Sequence, residues 1–259
     1  MKTEKNKPWV RTEQLVAFNL YCRIPFGKIH KANHEIVKVA KLLGRTPSAL
    51  AMKMLNFASF DPFHRSRNVS GLKNASSLDK AIWDEFHEDW EGLAAESQNL
   101  LSQMPSGVVG DLQGEFETTI DPASPTEVIR PTRVRLVQTF FRDAVMASYD
   151  RRCAICDVSL PELLNASHII PWSKDVARRA DPTNGLALCV FHDRSFDRGL
   201  VSFDDSYRML LSKKAGVETD SALQREGLLN LVGKALRLPS RFRPDPAALR
   251  FHRESVFDA

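Results

Sequence analysis

Apolar residues recur every three or four positions through the first sixty residues, which is the period of an amphipathic helix. Phe18 and Cys22 fall on one face of a first predicted helix, and a second follows in the stretch HEIVKVAKLL. Gly44 interrupts this second helix, after which Thr46 and Pro47 fit the N-cap and the first position of a third. The pattern therefore predicts a helix, a short glycine-containing turn and another helix.

This arrangement is typical of helix-turn-helix units, whose last helix reads DNA. On the third helix we expect four exposed side chains able to reach phosphates or base edges: Arg45, Ser48, Lys53 and Asn56. A basic loop with a glycine follows, and it adds three cationic candidates for contact with a DNA backbone: Arg65, Arg67 and Lys73. Helix-turn-helix geometry is also common in proteins that touch no DNA, so a purely structural role for these helices stays open.

The segment 103–130 changes in composition to Pro, Gly, Ser and acidic residues without a helical period. We interpret it as a linker between a helical DNA-recognition domain, 1–102, and a second domain with a C-terminal extension, 131–259. In the second domain a predicted helix precedes two short strand-like runs, IIPW and LALC, and a hairpin around Asp204 and Asp205. A further helix is predicted in LLNLVGKAL. The expected fold class is α+β.

Charge is distributed in three blocks along the chain. Residues 1–75 hold fourteen Lys and Arg against four Asp and Glu, residues 76–128 hold one against twelve, and residues 129–259 hold twenty-one against sixteen. Basic blocks favour a polyanion such as DNA, although a solvated surface without a partner gives the same pattern. No apolar run approaches the length of a membrane span, and the start MKTEKNKPWVRTE has no signal-peptide core. We expect a cytoplasmic protein without membrane contact.

Three of the four cysteines have the spacing of metal ligands. Cys153 and Cys156 form a C-x2-C pair, and Cys189 and His192 repeat the same gap thirty-three residues later. Two such pairs can close a tetrahedral Cys3His site, and closed thiolate-rich sites are structural zinc sites. A buried cysteine cluster or a redox pair would show the same spacing. Cys22 lies among apolar neighbours, and we expect it to be a core residue.

Residues suited to general-base and metal chemistry lie between and beside these two pairs. His168 precedes the run IIPW, Asn184 leads into LALC, and Asp193 falls in the first turn of a helix predicted in HDRSFDRG. Two strands and a helix can bring these side chains to one cleft. A neutral histidine is a competent general base near pH 7, and a carboxylate or histidine on the helix can hold a divalent cation against a phosphate.

The stretches ASHIIPW, NGLALC and FHDRSFDRG, with the C-x2-C pair ahead of them, resemble the HNH nucleases of the ββα-metal fold, in the subgroup found among restriction endonucleases. The resemblance covers about residues 150–203, roughly a fifth of the chain. It implies that His168 activates the water that attacks the scissile phosphodiester and that Asn184 fixes the loop between the strands. It also implies that the last motif residue holds the catalytic Mg2+ or a similar ion.

The identity of that last motif residue depends on zinc. In zinc-braced members of the family the catalytic ligand directly follows the fourth zinc ligand, which assigns His192 to zinc and Asp193 to the catalytic cation. Without zinc, His192 itself would be the motif residue. Many relatives have an Asp where this chain has Ser167, and Asp197 is the candidate replacement in the shell of the cation. Asp197 could instead cap the helix or contact a neighbouring arginine.

The resemblance therefore implies a metal-dependent DNA endonuclease of the restriction type, with structural Zn2+ and catalytic Mg2+ or another divalent cation. Separate recognition and cutting domains suit an enzyme that depends on a modified base in double-stranded DNA, and cutting of both strands suits a homodimer. Two alternatives remain: a DNA-binding regulator or structural zinc protein with an inactive HNH site, and a nuclease for RNA or single strands. The presence of His168, Asn184 and a helical carboxylate argues against an inactive site.

Overall fold

The chain divides into two compact units, 1–143 and 144–259. Helices form the first, and the second combines helices with two small antiparallel sheets, which confirms the α+β class. The structure is a computed structural model that describes residues 7–66, 75–104, 125–217 and 220–259. No helix in these ranges is long and apolar enough to cross a membrane. Most of the expected linker lies outside them, so the domain boundaries given above stay a prediction.

The first unit is a helical bundle around its first helix. Its helices are α1 (Arg11–Arg23), α2 (His34–Leu42), α3 (Pro47–Ala58), α4 (Pro62–Ser66), α5 (Ser77–Glu88), α6 (Trp90–Ser102) and the first part of α7 (Pro125–Ser148). Every residue of α1 from Glu13 to Cys22 is buried, because α3, α5 and α6 surround it. At its centre the Phe18 ring lies 4.9 Å from the Phe57 ring and 4.2 Å from the Phe86 ring.

The turn between α2 and α3 follows the sequence prediction. Gly44 adopts φ +66°, and the amides of Gly44 and Arg45 donate to the carbonyls of Lys41 and Ala40, which closes the end of α2 in a Schellman motif. Thr46 then caps α3 by accepting a hydrogen bond from the Ala49 amide at 3.2 Å. The glycine turn and the start of α3 are therefore confirmed.

The second unit contains a ββα arrangement followed by a second hairpin. Its elements are β1 (Leu164–His168), β2 (Gly185–Cys189), α8 (Val190–Asp197), β3 (Val201–Phe203), β4 (Met209–Leu211), α9 (Ala222–Gly227) and α10 (Pro246–Ser255). β1 and β2 pair antiparallel, with Leu164 opposite Cys189 and His168 opposite Gly185. This register puts His168 at the loop end of the hairpin and puts Cys189 at the end that leads directly into α8.

Two local predictions for the second unit are wrong and one is confirmed. The run IIPW is not a strand, because β1 ends at His168 and the chain enters a loop before Pro171, which has no amide hydrogen for a ladder. LLNLVGKAL forms only a 3-10 turn at Leu229–Leu231, because Gly233 adopts φ +74° and ends it. The hairpin around Asp204 is present as β3 and β4.

The C-terminal extension packs along the end of α8. The His252 ring of α10 stacks on the Phe196 ring at 3.7 Å, and the Asp258 amide donates to the Gly199 carbonyl at 3.0 Å. Gly199 has φ +67°, and a Cβ at this position would lie 2.1 Å from the carbonyl oxygen of Val256. Only glycine combines this backbone conformation with this close approach.

Candidate active site and metal centre

The three cysteines and the histidine with metal-ligand spacing meet in one cluster. The sulfurs of Cys156 and Cys189 are 3.7 Å apart, and His192 Nδ1 lies 3.6 Å from Cys153 Sγ and 3.2 Å from Cys189 Sγ. All four ligand atoms lie within 4.8 Å of one another. Tetrahedral zinc, with Zn–S about 2.3 Å and Zn–N about 2.0 Å, requires about 3.8 Å between sulfurs and about 3.5 Å between sulfur and nitrogen. The cluster can therefore hold a metal ion such as zinc.

The orientation of the His192 ring is fixed from outside the cluster. Its Nε2 lies 2.8 Å from the carbonyl oxygen of Gly227, at the end of α9. Since a carbonyl only accepts, Nε2 donates, which leaves Nδ1, on the side of the sulfurs, as the atom that would bind a metal ion. Hydrogen bonds from Cys153 and Cys156 lower the pKa of the Cys189 thiol, which favours the thiolate that a metal ion binds. This geometry fits the assignment that gives His192 to zinc.

His168, the last residue of β1, is held in one tautomer. Its Nε2 lies 3.0 Å from the carbonyl oxygen of Arg179, which can only accept, so Nε2 donates and Nδ1 of the neutral ring carries the lone pair. The Trp172 ring meets the His168 ring edge-on, with 5.5 Å between centroids. Burial lowers the pKa of His168 below its ordinary value, although the Arg179 carbonyl opposes the shift. The ring is therefore poised as a neutral proton acceptor.

The loop between β1 and β2 is held by the Asn184 side chain, which is 1% exposed. Its Oδ1 accepts a hydrogen bond from the Ile170 amide at 2.8 Å. Its Nδ2 donates to the carbonyls of Ile170 at 3.1 Å and Arg178 at 3.3 Å. These bonds tie both ends of the loop to the start of β2, and the residue after Arg178 supplies the carbonyl that holds His168.

Asp193 faces β1 from the first turn of α8. Ser167 Oγ donates to its Oδ1 at 2.6 Å, and Asn165 Nδ2 donates to its Oδ2 at 2.8 Å. Both donors are neutral, and within the described part of the chain no cation forms an ion pair with Asp193. The sequence analysis did not select Asn165. Its position two residues before Ser167 on a strand, which puts both side chains on one face, was the available signal.

Residues 153–204 match a family model described as HNH endonuclease. This segment is an HNH endonuclease domain. The resemblance drawn from the sequence is thereby confirmed for this segment, and it supports the expected enzyme class, a nuclease that hydrolyses phosphodiesters. One solved structure, titled modification dependent TagI restriction endonuclease, aligns at 20% identity with 45% of this chain and 37% of its own, with a TM-score of 0.35. A likeness of that extent carries no conclusion for this chain. No curated protein matches this chain.

Asp197 lies one helical turn after Asp193 in the HNH domain. Burial and the negative charge of Asp193 raise the pKa of the Asp197 carboxyl, and Arg194 and Arg198 partly oppose this. Two carboxylates close enough to repel each other can share a divalent cation, which would relieve the repulsion. The sequence analysis also considered a contact between Asp197 and these arginines. The arginines act on Asp197 only through this opposing electrostatic effect.

Three of the DNA-reading candidates outside the HNH domain are not exposed as predicted. Arg45, Lys53 and Asn56 are each 7% exposed. Arg45 binds Glu13 at 2.7 Å, Lys53 binds Asp79 Oδ1 at 2.6 Å, and Asn56 donates to Asp79 Oδ2 at 3.2 Å. α1 and α5 cover this face of α3 and supply the two carboxylates, so the expectation that it is open to DNA is wrong.

The other DNA-reading candidates have different outcomes. Ser48 is exposed on α3, and Arg65 is exposed on α4, so both are accessible to a ligand. Arg67 and Lys73 lie outside the described residues. DNA binding by any member of the set stays a prediction.

Proposed function

We propose that the chain is a metal-dependent DNA endonuclease of the restriction type, which acts in the cytoplasm on double-stranded DNA. The observation that carries this proposal is the arrangement on β1. The strand ends in the neutral base His168, and the preceding Ser167 holds the carboxylate of Asp193. A proton acceptor and an unneutralised carboxylate are thus anchored to adjacent residues of one strand, within an HNH domain.

The metal assignments follow from the donor sets. The Cys3His cluster offers soft ligands at tetrahedral separations and suits Zn2+ in a structural role. Asp193, with Asp197 as a second oxygen ligand, suits Mg2+ or another hard divalent cation, which prefers one or two carboxylates plus water. When bound, that cation would stabilise the negative charge that develops on the phosphate and on the leaving oxygen.

The chain's own residues supply the proton transfer. His168 Nδ1 accepts a proton from water as the water oxygen forms its bond to phosphorus and the P–O bond to the leaving sugar oxygen breaks. The Arg179 carbonyl holds the ring in the required tautomer throughout and stabilises the imidazolium that forms. Asn184 maintains the loop that carries this carbonyl.

Modification dependence and a homodimer complete the proposal. A helical unit in the same chain as a separate cutting unit suits an enzyme that reads a modified base before it cuts. Two copies of one HNH domain would supply an active site for each strand of the duplex.

The test incubates the purified chain with plasmids from methylating and non-methylating hosts, in Mg2+, Mn2+ or EDTA. We expect cutting that requires metal, and we expect the His168→Ala variant to lose it by at least about 10²-fold. A preference for one plasmid supports modification dependence, and equal cutting removes it. DNA that is bound but never cut indicates a DNA-binding protein with an inactive site. Cutting confined to RNA or single-stranded DNA places the substrate there instead.

A further inference from the structure

The first unit carries positive charge that is not neutralised by ion pairs among the described residues. Ten Lys and Arg lie in 7–66, and five of them pair with carboxylates of the same unit. The other five form no such pair among the described residues, and one of them is Arg65 on α4. The other four are the lysines of one short segment: Lys28, Lys31, Lys38 and Lys41. No carboxylate among the described residues forms an ion pair with these four.

The geometry of α2 places part of this charge on a single surface. His34, Lys38 and Lys41 are separated by four and three residues and therefore project from one face of the helix. The opposite face holds Ile36 and Val39, which are fully buried, and α2 packs on α3. His34 and Lys41 are exposed and Lys38 is half-buried. The cationic face thus points away from the core.

Two more lysines lie in the turn that leads into α2. Asn33 Nδ2 donates to the Lys28 carbonyl at 3.1 Å, while Asn33 Oδ1 caps the helix by accepting from the Glu35 amide at 3.0 Å. The turn is therefore folded onto the start of the helix, with Lys28 and Lys31 exposed. We call the set Lys28, Lys31, His34, Lys38 and Lys41 the α2 basic face.

Among the described residues, no carboxylate neutralises the α2 basic face. Glu35 is the only carboxylate in α2, and Arg23 binds its Oε1 at 2.9 Å. The Arg23 side chain is largely buried, so it approaches Glu35 from the interior of the unit. The nearest counter-charge in the sequence is thus already engaged, and a polyanion from solution would meet four lysines that pair with no carboxylate of the described residues.

We infer that the α2 basic face binds the phosphate backbone of duplex DNA. The inference rests on the proposed function, because the HNH domain is what makes DNA the polyanion of interest. From His34 to Lys41 the helix rises about 10.5 Å, which matches about three phosphates at 3.4 Å of rise along one strand. Lysine contacts phosphate as a flexible point charge and reads no base edge. The face therefore contributes affinity that is independent of sequence.

The experiment measures DNA binding of the full chain at several salt concentrations. The background is His168→Ala, which prevents cutting, and the variant adds Lys31→Gln, Lys38→Gln and Lys41→Gln. Three lost phosphate contacts should reduce the slope of log K against log salt by about 2 to 3 and weaken binding by roughly tenfold or more at low salt. Lys80→Gln, which removes an exposed lysine of the same unit that already pairs with Asp84, should leave the slope unchanged.

The outcomes separate this inference from the proposed function. An unchanged slope in the triple variant overturns the inference, even if the wild-type chain cuts plasmid in Mg2+. A reduced slope supports it, even if the wild-type chain cuts nothing. A wild-type chain that binds no duplex DNA at any salt concentration overturns it outright. Because the three lysines lie on the surface, thermal unfolding of the variant should match that of its background.

Discussion

The two units use carboxylates in opposite ways. In the first, Asp79 is fully buried and receives Lys53 on one oxygen and Asn56 on the other, so a cation from the same chain balances its charge. In the HNH domain, Asp193 receives the neutral donors Ser167 and Asn165, and no cation among the described residues forms an ion pair with it. A balanced, buried carboxylate holds a fold together. A carboxylate fixed by neutral donors alone leaves its charge for a cation from outside, and we propose this role for Asp193.

The largest effect should come from the Cys3His cluster, where we propose a third case, a bound ion that holds the fold. We expect Cys153→Ser to lose bound zinc and to unfold the second unit, since structural zinc contributes about 10–16 kcal/mol of binding free energy in small domains. Elemental analysis and thermal unfolding by circular dichroism measure both effects. Cys22→Ser, at a buried cysteine outside the cluster, should keep its zinc. Full zinc content in the Cys153 variant would show that the cluster is not the site.

Asp79, whose charge Lys53 balances, should contribute to the stability of the first unit. Asp79→Asn removes the partner of a buried cation, and we expect the free energy of unfolding of the first unit to fall by about 3–5 kcal/mol. Urea titration measures this. The matched control is Asp84→Asn on the same helix, which breaks an exposed ion pair with Lys80 and should cost about 0.5 kcal/mol. Equal costs for the two variants would contradict the distinction between a buried and a solvated pair.

Asp193, which is held by neutral donors, should contribute to catalysis. We expect Asp193→Asn to reduce metal-dependent cleavage by about 10²-fold or more, because the neutral amide binds a divalent cation poorly. Its free energy of unfolding should change by less than about 1 kcal/mol, since no ion pair is broken. Asp220→Asn, at an exposed carboxylate of the same unit, serves as the control for both measurements. A large loss of stability with cleavage retained would make Asp193 a structural residue.

The smallest effect should appear in the pH dependence of cleavage. Only the neutral His168 ring can accept a proton, and burial lowers its pKa, so the neutral form persists to lower pH than in a solvent-exposed histidine. The single-turnover rate should fall as the pH falls, and the midpoint of this fall should lie below the value of about 6.5 of an ordinary histidine. A midpoint already between pH 8 and 7 would show that another group limits proton transfer.

Local patterns predicted much of this structure correctly. Gly44 and Pro47 identified the turn between α2 and α3 because their backbone restrictions act within a few residues. The metal cluster was predictable for a similar reason, since two pairs with the same gap leave few other arrangements. The ββα order was predicted as well, although its first strand, β1, lies directly before IIPW rather than in it.

The errors arose where the deciding partner is distant in the sequence. Arg45 and Lys53 look like exposed readers of DNA on a helical wheel, but their partners Glu13 and Asp79 lie on other helices, 32 and 26 residues away. Only tertiary packing shows that α1 and α5 cover this face. Asn165 was missed because its partner Asp193 lies 28 residues further on, across the hairpin.

The constraint at Gly199 determines which mutations the nuclease can tolerate. Even alanine would place its methyl group 2.1 Å from the Val256 carbonyl oxygen, at a backbone angle that L-residues avoid. Every missense change at this codon therefore displaces either the C-terminal extension or the end of the helix that bears Asp193. In a random library selected for loss of cutting, Gly199 should appear beside His168 and the metal ligands, although it contributes no side chain to the chemistry.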